Sequence, residues 1–299
     1  MLKLFYILFL LLAVPGCKKK TNDDGKQLNY VRHTAVYKHV PGTDENLLSL
    51  DVYYDPGKLD PKPVIIWVHG GGWCLGDKTN ALENKKRLFS KSGYLLVSIN
   101  YRLSPCPFEP NNPGRIKYPV HNTDVADAVK WVHEHIAAFG GDPGKLVLLG
   151  HSAGAHLVSL TGTRLDFLRQ AGVPVEAVKG VASIDTKGYD VYYMTQVKHD
   201  TMYINAFGND SLLNIQASPL YQINGSGNYH PAFFIAKRGD NERIRIADNF
   251  IDSLQYHGIP VTSIRADVYS HSEINAAIGK EGENIITPAL SRFLSDILN

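Results

Sequence analysis

The sequence has almost no net charge, no internal repeat and no low-complexity tract. Its 31 lysine and arginine residues nearly balance 29 aspartate and glutamate residues, which leaves a formal charge of +2. No basic stripe stands out after the first twenty residues, so the electrostatic footprint of a nucleic-acid-binding protein is missing. The composition is that of an ordinary globular protein, and 299 residues suffice for one large core. These observations exclude nucleic acid as a partner and a largely disordered chain.

Long hydrophobic runs are also missing. The first apolar stretch, from Leu4 to Val14 after Lys3, is too short to span a bilayer comfortably but suits the core of a signal peptide. The "VPGC" that follows resembles a bacterial lipobox, whose cysteine, here Cys17, becomes the lipidated first residue of the mature protein. We therefore expect a signal peptide at residues 1–16, a polar tether at 17–30, and export to the periplasmic or cell-surface face of a bacterial membrane. Ordinary secretion and a membrane-spanning anchor are the alternatives.

Cysteine is scarce, with three residues in the chain. Apart from Cys17, both Cys74 and Cys106 follow candidate strands, in loops that share one side of the predicted sheet. Export would place them in an oxidising compartment, where a disulfide is stable. Two cysteines alone are a weak disulfide signal, so a bridge and two free buried thiols both remain open.

Eight strand-like segments follow from about Val31. "VRHTAVYKH" and "LLSLDVYYD" alternate partly with period two, as solvated antiparallel strands do, whereas the others are nearly continuous apolar runs: "VIIWV", "LLVSINY", "LVLLG", "VKGVASI", "AFFIAK" and "VTSIRA". Helical stripes lie between the later runs, one ending at Gly140 and Gly141 and another at Gly258. This alternation predicts one α/β domain over 31–299, with a mostly parallel eight-stranded sheet and helices on both faces.

The segment "LVLLGHSAGAHLVSL" contains the strongest motif. It is typical of a strand, a sharp turn and a helix, with Ser152 at the turn between Gly150 and Gly154. This spacing forms a nucleophile elbow, in which small neighbours permit the strained bend that lifts the serine hydroxyl clear of the backbone. The structural alternative is that Ser152 merely caps the helix.

A glycine run, "HGGGW", follows the apolar strand "VIIWV" well before the elbow. Glycine weakens a strand and costs conformational entropy, so we expect these residues to expose backbone that a side chain would cover. Amides of Gly71 and Gly72, with that of Ala153 at the helix start, would stabilise the oxyanion of a tetrahedral intermediate. His69 and Trp73 are interpreted as scaffolding for this loop, and a merely flexible loop is the alternative.

Together, "IIWVHGGGWCLGDK", "SINYRLSP", "YPVHNTDVADAVKWV" and "GDPGKLVLLGHSAGAHL" resemble the α/β-hydrolase family. The resemblance is to its HGGG-type carboxylesterase and lipase branch, in particular small exported esterases grouped with feruloyl and acetylxylan esterases and with kynurenine formamidase. It covers about residues 31–299 and implies the α/β-hydrolase fold with a serine nucleophile. The motifs are specific for fold and reaction type and poor guides to substrate.

The resemblance also implies the chain order serine, acid, histidine. After "AFFIAK" comes "RGDNERI", with Asp240 at a strand end, and after "VTSIRADVY" comes "SHSEI", with His271. His271 is predicted as the general base for Ser152, and Asp240 as the acid that fixes its tautomer. Glu242 and Asp267 are the rival acids.

We expect no cofactor and no metal. The "HEH" of residues 133–135 places its histidines two apart on a predicted helix, where neighbours point away from each other. Loops 103–118 and 185–205 are expected to wall a substrate pocket. The favoured function is a serine hydrolase of carboxylic esters, with small acyl or aryl groups that are plausibly attached to carbohydrate. The alternatives are an amidase, peptidase or formamidase with the same triad, and a non-catalytic binding protein of the same fold.

Overall fold

The computed structural model describes residues 30–223 and 229–298. The described residues form one eight-stranded sheet in the order β1-β2-β4-β3-β5-β6-β7-β8. The strands are β1 Val31–Val36, β2 Ser49–Tyr54, β3 Lys62–Val68, β4 Leu95–Ile99, β5 Gly141–His151, β6 Val178–Ile184, β7 Ala232–Lys237 and β8 Val261–Arg265. The pairs β1–β2 and β2–β4 are antiparallel, and every later pair is parallel. The predicted mostly parallel α/β sheet is confirmed.

Helices cover both faces of the sheet. They are α1 Glu83–Lys91, α2 Val120–His135, α3 Ala153–Thr163, α4 Asp166–Ala171, α5 Thr201–Phe207, α6 Ser211–Gln216, α7 Asn241–Tyr256, α8 His271–Ala277 and α9 Ile286–Leu298. Apolar side chains of α2, α3 and α7 form one core with the sheet, whereas those of α1, α8 and α9 form a second core on the opposite face. Two buried faces explain why the inner strands are nearly continuous apolar runs.

The two antiparallel strands differ from each other. β1 is mostly exposed, as its alternating pattern predicts, but the first four residues of β2 are buried. The reason is that β2 lies inside the sheet, with Leu50 and Val52 in the first core and with Asp51 in contact with Thr34 and Lys78. Alternation in the sequence of β2 therefore does not mark a solvated strand.

Glycine follows the end of α2 as expected. The α2 helix closes at His135, one further turn of 3-10 helix runs from Ile136 to Phe139, and Gly140 then adopts φ 78°. A Cβ at Gly140 would lie 2.8 Å from the Leu59 Cα, so both backbone conformation and space require glycine here. This turn directs the chain into β5, the strand that precedes Ser152.

The carboxyl ends of four strands converge on one edge of the sheet. The "HGGGW" loop follows β3, Ser152 follows β5, Asp185 follows β6 and His271 opens α8 after β8. Ligands of parallel α/β sheets gather at this edge. Among the described residues, no helix has the length and apolar character needed to cross a membrane.

Candidate active site

Ser152 lies on a strained turn between β5 and α3. Its backbone has φ 57° and ψ −119°, which a non-glycine residue rarely adopts. A Cβ at Gly150 would lie 2.3 Å from the Gly154 carbonyl oxygen, and one at Gly154 would lie 2.1 Å from that of Val68. Both flanking glycines are therefore required by close backbone approach. Ser152 makes no side-chain capping bond to α3, which excludes the helix-cap alternative.

His271 is held at the first residue of α8. Ser270 caps this helix, with its hydroxyl accepting from the Glu273 amide while the Glu273 carboxylate accepts from the Ser270 amide. The imidazole Nε2 of His271 lies 2.8 Å from the Ser152 Oγ. The structure thus joins the two residues that the sequence motifs pair, and Ser152 can pass its proton directly to the imidazole.

Asp185, at the end of β6, is the carboxylate that contacts His271. Its Oδ2 lies 2.6 Å from the His271 Nδ1, and its side chain is fully buried. The Asp185 backbone has φ 50° and its amide donates to the Ala236 carbonyl at 2.9 Å, which fixes the turn after β6. Ser152, His271 and Asp185 form a continuous hydrogen-bonded chain, the arrangement of a catalytic triad.

Asp240 does not contact His271, so the structure contradicts its prediction as the acid. It is exposed and caps α7, where its Oδ1 accepts from the Arg243 amide at 2.8 Å. Asp followed by a helix is also the pattern of an N-cap, and that role accounts for Asp240 here. The sequence does contain a signal for Asp185 that was not used above: this residue directly follows the apolar run "VKGVASI", at the end of a predicted strand.

The two rival carboxylates are also engaged elsewhere. Glu242 pairs with Lys187 at 2.9 Å and Lys198 at 2.7 Å. Hydrogen bonds from Lys198 and Lys187 lower the pKa of Glu242 to about 2. Asp267 accepts from the Gly239 amide at 3.0 Å and pairs with Arg265. Neither of these carboxylates contacts His271 in the described part of the chain.

The Asp185 carboxylate is charged despite its burial. Burial by itself raises the pKa of this carboxyl group, but the hydrogen bond from His271 and the charges of two arginines outweigh it, so the pKa lies below its ordinary value. The arginines are Arg238, whose Nε lies 2.5 Å from Oδ2, and Arg243, whose guanidinium lies 2.8 Å from Oδ1. Asp185 can therefore hold the imidazole as a hydrogen-bond acceptor at physiological pH.

A second histidine packs against the first. The rings of His151 and His271 lie 4.6 Å apart, and the His151 Nε2 donates to the His271 backbone carbonyl at 2.8 Å. Burial is the largest cause that lowers the pKa of His151 to about 3, so this ring is neutral. His151 thus supports the backbone of His271 without adding charge to the site.

The "HGGGW" loop lies directly against the elbow. A Cβ at Gly70 would lie 3.0 Å from the Ser152 Cβ, and Gly71 and Gly72 have φ 116° and 59°. The amides of Gly71 and Gly72 have no hydrogen-bond partner within residues 30–223 and 229–298. They line the same cavity as Ser152 and Ala153. These three amides remain the predicted oxyanion hole, and the loop is too constrained to be merely flexible.

His69 and Trp73 hold this loop in place. His69 stacks on Tyr101 with ring centroids 4.5 Å apart and binds the Gly70 carbonyl at 2.7 Å through Nδ1. The buried Trp73 indole donates to the His156 Nδ1 at 3.3 Å. Burial lowers the pKa of His69, and that of His156 to about 4, so both rings are neutral. The loop is therefore anchored on both sides of its glycines.

Cys74 and Cys106 form a disulfide. The bond joins the residue after Trp73 to the proline-rich loop that follows β4, across a sequence separation of 32 residues. The sequence leaves open a disulfide or two free buried thiols, and the structure contains the disulfide. It ties the glycine loop to a neighbouring surface loop.

A cavity of about 630 Å³ opens in front of Ser152. The 185–205 segment forms one wall as expected, through Thr186, Lys187, Met194, Asp200, Met202 and Tyr203. Residues of the 103–118 loop do not line it, contrary to expectation. Instead this loop supports the wall from behind, because Glu109 and Arg115 hydrogen-bond to Asn205 in α5. The cavity lining combines apolar side chains with a few charged ones.

The donor atoms of His151, Asp185 and His271 lie within 4.8 Å of one another, close enough for metal ligation. Both ring nitrogens of His271 are, however, engaged by Ser152 and Asp185. The His151 Nε2 is likewise engaged by a backbone carbonyl. A metal ion would have to break these bonds, so the donor set fits a proton-transfer chain better than a metal centre.

The fold and the Ser–His–Asp geometry define a protein of the α/β-hydrolase class. Residues 50–244 match the family model BD-FAE, which covers more than half of the chain. The chain belongs to the BD-FAE family, an α/β-hydrolase esterase family, and the predicted resemblance is confirmed.

Curated relatives share part of the sequence. Esterase LipQ of Mycobacterium tuberculosis is 36% identical over 136 residues, which are 46% of this chain and 30% of that protein. Phenmedipham hydrolase of Pseudarthrobacter oxydans is 36% identical over 120 residues, 40% of this chain and 24% of that protein. The chain spans less than a third of the length of these two relatives.

Solved structures share the fold over nearly the whole chain. Esterase B from Lactobacillus rhamnosis, inhibited by a C4-C4 SN3 tributyrin phosphonate, has a TM-score of 0.71 at 18% identity and covers 94% of this chain and 88% of that one. A truncated carbohydrate esterase from gut microbiota has a TM-score of 0.70 at 18% identity and covers 93% and 99%. At these identities the likeness confirms the α/β-hydrolase fold.

Proposed function

We propose that this protein is a serine hydrolase that cleaves carboxylic esters through an acyl-enzyme. The observation that carries the proposal is the hydrogen-bonded chain from Ser152 through His271 to Asp185, next to the open amides of Gly71 and Gly72. A nucleophile, a base, an orienting acid and oxyanion donors are all that acyl transfer requires. A non-catalytic binding protein has no need for this complete set.

The acylation step follows from these contacts. Ser152 Oγ attacks the ester carbonyl carbon while its proton passes to the His271 Nε2, and the resulting oxyanion accepts hydrogen bonds from the loop amides. Asp185 stabilises the imidazolium. Collapse of the tetrahedral intermediate breaks the carbon–oxygen bond, and His271 returns the proton to the leaving alkoxide, which departs as the alcohol.

Deacylation repeats the sequence with water. A water molecule attacks the acyl carbon while His271 takes its proton, and a second tetrahedral intermediate forms in the same oxyanion hole. Its collapse breaks the bond to Ser152, the proton returns to Oγ, and the free carboxylic acid leaves. Every proton that His271 takes is given back within one turnover, so no cofactor is needed.

The substrate proposal is an ester with a small acyl or aryl group, with carbohydrate as one candidate carrier of that group. The cavity of about 630 Å³ and its methionine, tyrosine and tryptophan side chains suit a small apolar group. The name of the gut carbohydrate esterase is consistent with a carbohydrate ester as substrate for a protein of this type. Amide hydrolysis uses the same groups and is the second candidate.

A panel of aryl esters of increasing acyl length, beside acetylated xylan, feruloyl esters, formyl anilides and a peptide anilide, tests these proposals. Short-chain aryl esters should be cleaved fastest, and a preference for the anilides would instead favour the amidase. A serine-directed fluorophosphonate should label Ser152 in the parent and spare Ser152→Ala, whose turnover should fall by several orders of magnitude. Near-parental turnover of Ser152→Ala would refute the mechanism.

We propose further that the protein is exported and lipid-anchored through Cys17. Cys17 lies outside the described residues, and the support is the lipobox-like "VPGC" after a short apolar segment. The several acyl chains of a bacterial lipoprotein hold firmly, so detergent should be needed to extract the protein from membranes. Cys17→Ser should change its processing. Full release of the unaltered protein by osmotic shock would contradict the anchor.

A further inference from the structure

Two arginines converge on the Asp185 carboxylate. The Arg238 Nε lies 2.5 Å from Oδ2, the oxygen that also binds His271, and the Arg243 guanidinium lies 2.8 Å from Oδ1. Both arginines come from the connection between β7 and α7, Arg238 just after the strand and Arg243 in the first turn of the helix. The connection that contains Asp240, the acid predicted from the sequence, therefore supplies the two arginines that hold Asp185 at the end of β6.

We propose that Arg238 and Arg243 are positioning residues that fix the orientation of Asp185 and extend the activity of the enzyme toward lower pH. The proposal rests on the proposed hydrolase function. Both carboxylate oxygens are held by guanidinium groups, so the carboxylate cannot rotate about its Cβ–Cγ bond without losing charge-assisted hydrogen bonds. The direction of the bond from Oδ2 to His271 is thereby fixed.

The pH effect follows from the local charges. A proton on His271 is stabilised by the negative Asp185, and the positive charges of Arg238 and Arg243 oppose that stabilisation. The base is active only without that proton. Removal of either arginine should therefore move the pH dependence of the activity upward.

The other groups that face the pair do not cancel this effect. His151 is the nearest from β5, and burial keeps it neutral by lowering its pKa to about 3. Tyr189 and Tyr203 are buried, and burial raises the pKa of both, so they stay uncharged. Lys187, on the segment after Asp185, is paired with Glu242. Ser152 is uncharged. Asp267, which faces Arg238 from the loop before α8, pairs with Arg265, and Lys85, whose charge reaches His151, is unchanged in every variant compared. Among the described residues, the charged side chains in direct contact with the carboxylate besides His271 are thus Arg238 and Arg243.

The test compares Arg243→Gln and Arg238→Gln with Arg245→Gln. Arg245 lies two residues further on the same helix, is exposed, and stacks over Tyr193 at 5.0 Å. Its replacement removes the same charge without touching the carboxylate. The readout is the pH dependence of kcat/KM for an aryl ester and of the fluorophosphonate labelling rate of Ser152, with melting temperatures as a folding check.

Both arginine variants should move the acid limb of the pH profile upward by about one pH unit, and Arg245→Gln should leave it in place. Arg243→Lys keeps the charge without the guanidinium geometry and should lower the plateau with little change in the limb. If a glutamine variant does not fold, Arg243→Lys takes its place: its limb should stay at the parental pH, and a limb that moves upward by about one pH unit would overturn the charge argument. An unmoved limb in folded Arg243→Gln and Arg238→Gln would refute the proposal.

The parent protein separates this proposal from the proposed function. Absence of both ester turnover and Ser152 labelling in the parent would mean that the hydrolase assignment itself has failed. Parental activity with unchanged limbs in the arginine variants would refute only the role of the arginines. A loss of melting temperature alone, with the limb in place, would mean that the arginines are structural.

Discussion

The Oδ2 of Asp185 lies 2.6 Å from the Nδ1 of His271, and this contact joins the end of β6 to the start of α8. Asp185→Asn should therefore lower kcat near neutral pH by as much as about 10⁴-fold, because the amide favours the wrong imidazole tautomer. The measurement is kcat, with a melting curve as a folding check, because the variant removes the carboxylate that pairs with Arg238 and Arg243.

Asp240→Asn is the matched control for that change. Asparagine caps helices about as well as aspartate, so this variant should keep both its fold and nearly all of its activity. If Asp240→Asn were the inactive variant and Asp185→Asn the active one, the acid would follow β7 and the contact in this structure would not be the functional one.

Gly71→Ala should reduce kcat by about 10²–10³-fold, the usual cost of one oxyanion donor. Gly71 has φ 116°, and an added Cβ would lie 2.1 Å from the Leu75 carbonyl oxygen, so the loop must shift. Gly93 also has positive φ but no atom within 4 Å of an added Cβ. Gly93→Ala should cost about 1–2 kcal/mol of stability with normal kcat. Equal activity in both variants would exclude the loop from the oxyanion hole.

The Cys74–Cys106 disulfide should contribute about 4 kcal/mol to the free energy of unfolding, since its cysteines are 32 residues apart in sequence. Reductant should lower the melting temperature of the parent. The double variant Cys74→Ser, Cys106→Ser should melt at the same temperature as the reduced parent, and reductant should not change that temperature. A parent that is insensitive to reductant, with two thiols that react with a thiol reagent after unfolding, would contradict the bridge.

Lys85 should make stability rise with pH. It is fully buried beneath the pocket wall, donates to Ala81 and Asn275, and lies 4.3 Å from the centre of the Trp67 ring. Burial lowers its pKa from 10.5 to about 7. Between these pH values the unfolded chain binds the proton and the folded one does not, so deprotonation favours folding as pH rises through that window.

Lys85→Met is the corresponding variant, because methionine fills similar space without a charge. The difference in free energy of unfolding between parent and variant, measured by denaturant titration from pH 6 to pH 9, should shift in favour of the parent as pH rises above about 7. A difference that stays constant over this range would show that Lys85 titrates normally.

Local sequence patterns determined much of this site. The elbow at Ser152 could be predicted because its G-x-S-x-G spacing lies within one strand–turn–helix unit, although the close contact that requires Gly154 is with Val68 in β3. The glycine loop after β3 and the position of His271 after β8 could be predicted from the motif and the implied chain order in the same way. The continuous apolar runs also predicted the mostly parallel sheet, because a strand that is buried on both faces carries apolar residues at nearly every position.

The choice of acid was decided only by the tertiary structure. Asp185 and Asp240 both follow apolar strands, and β6 and β7 are neighbours in the sheet, so chain order and strand position fit either residue. What separates them is the backbone of two short turns: φ 50° aims Asp185 at His271, whereas Asp240 turns to the amides of α7. The disulfide and the support of the pocket wall by the 103–118 loop depend in the same way on distances between segments far apart in the chain. Those distances are set by packing, which no local pattern of residues records.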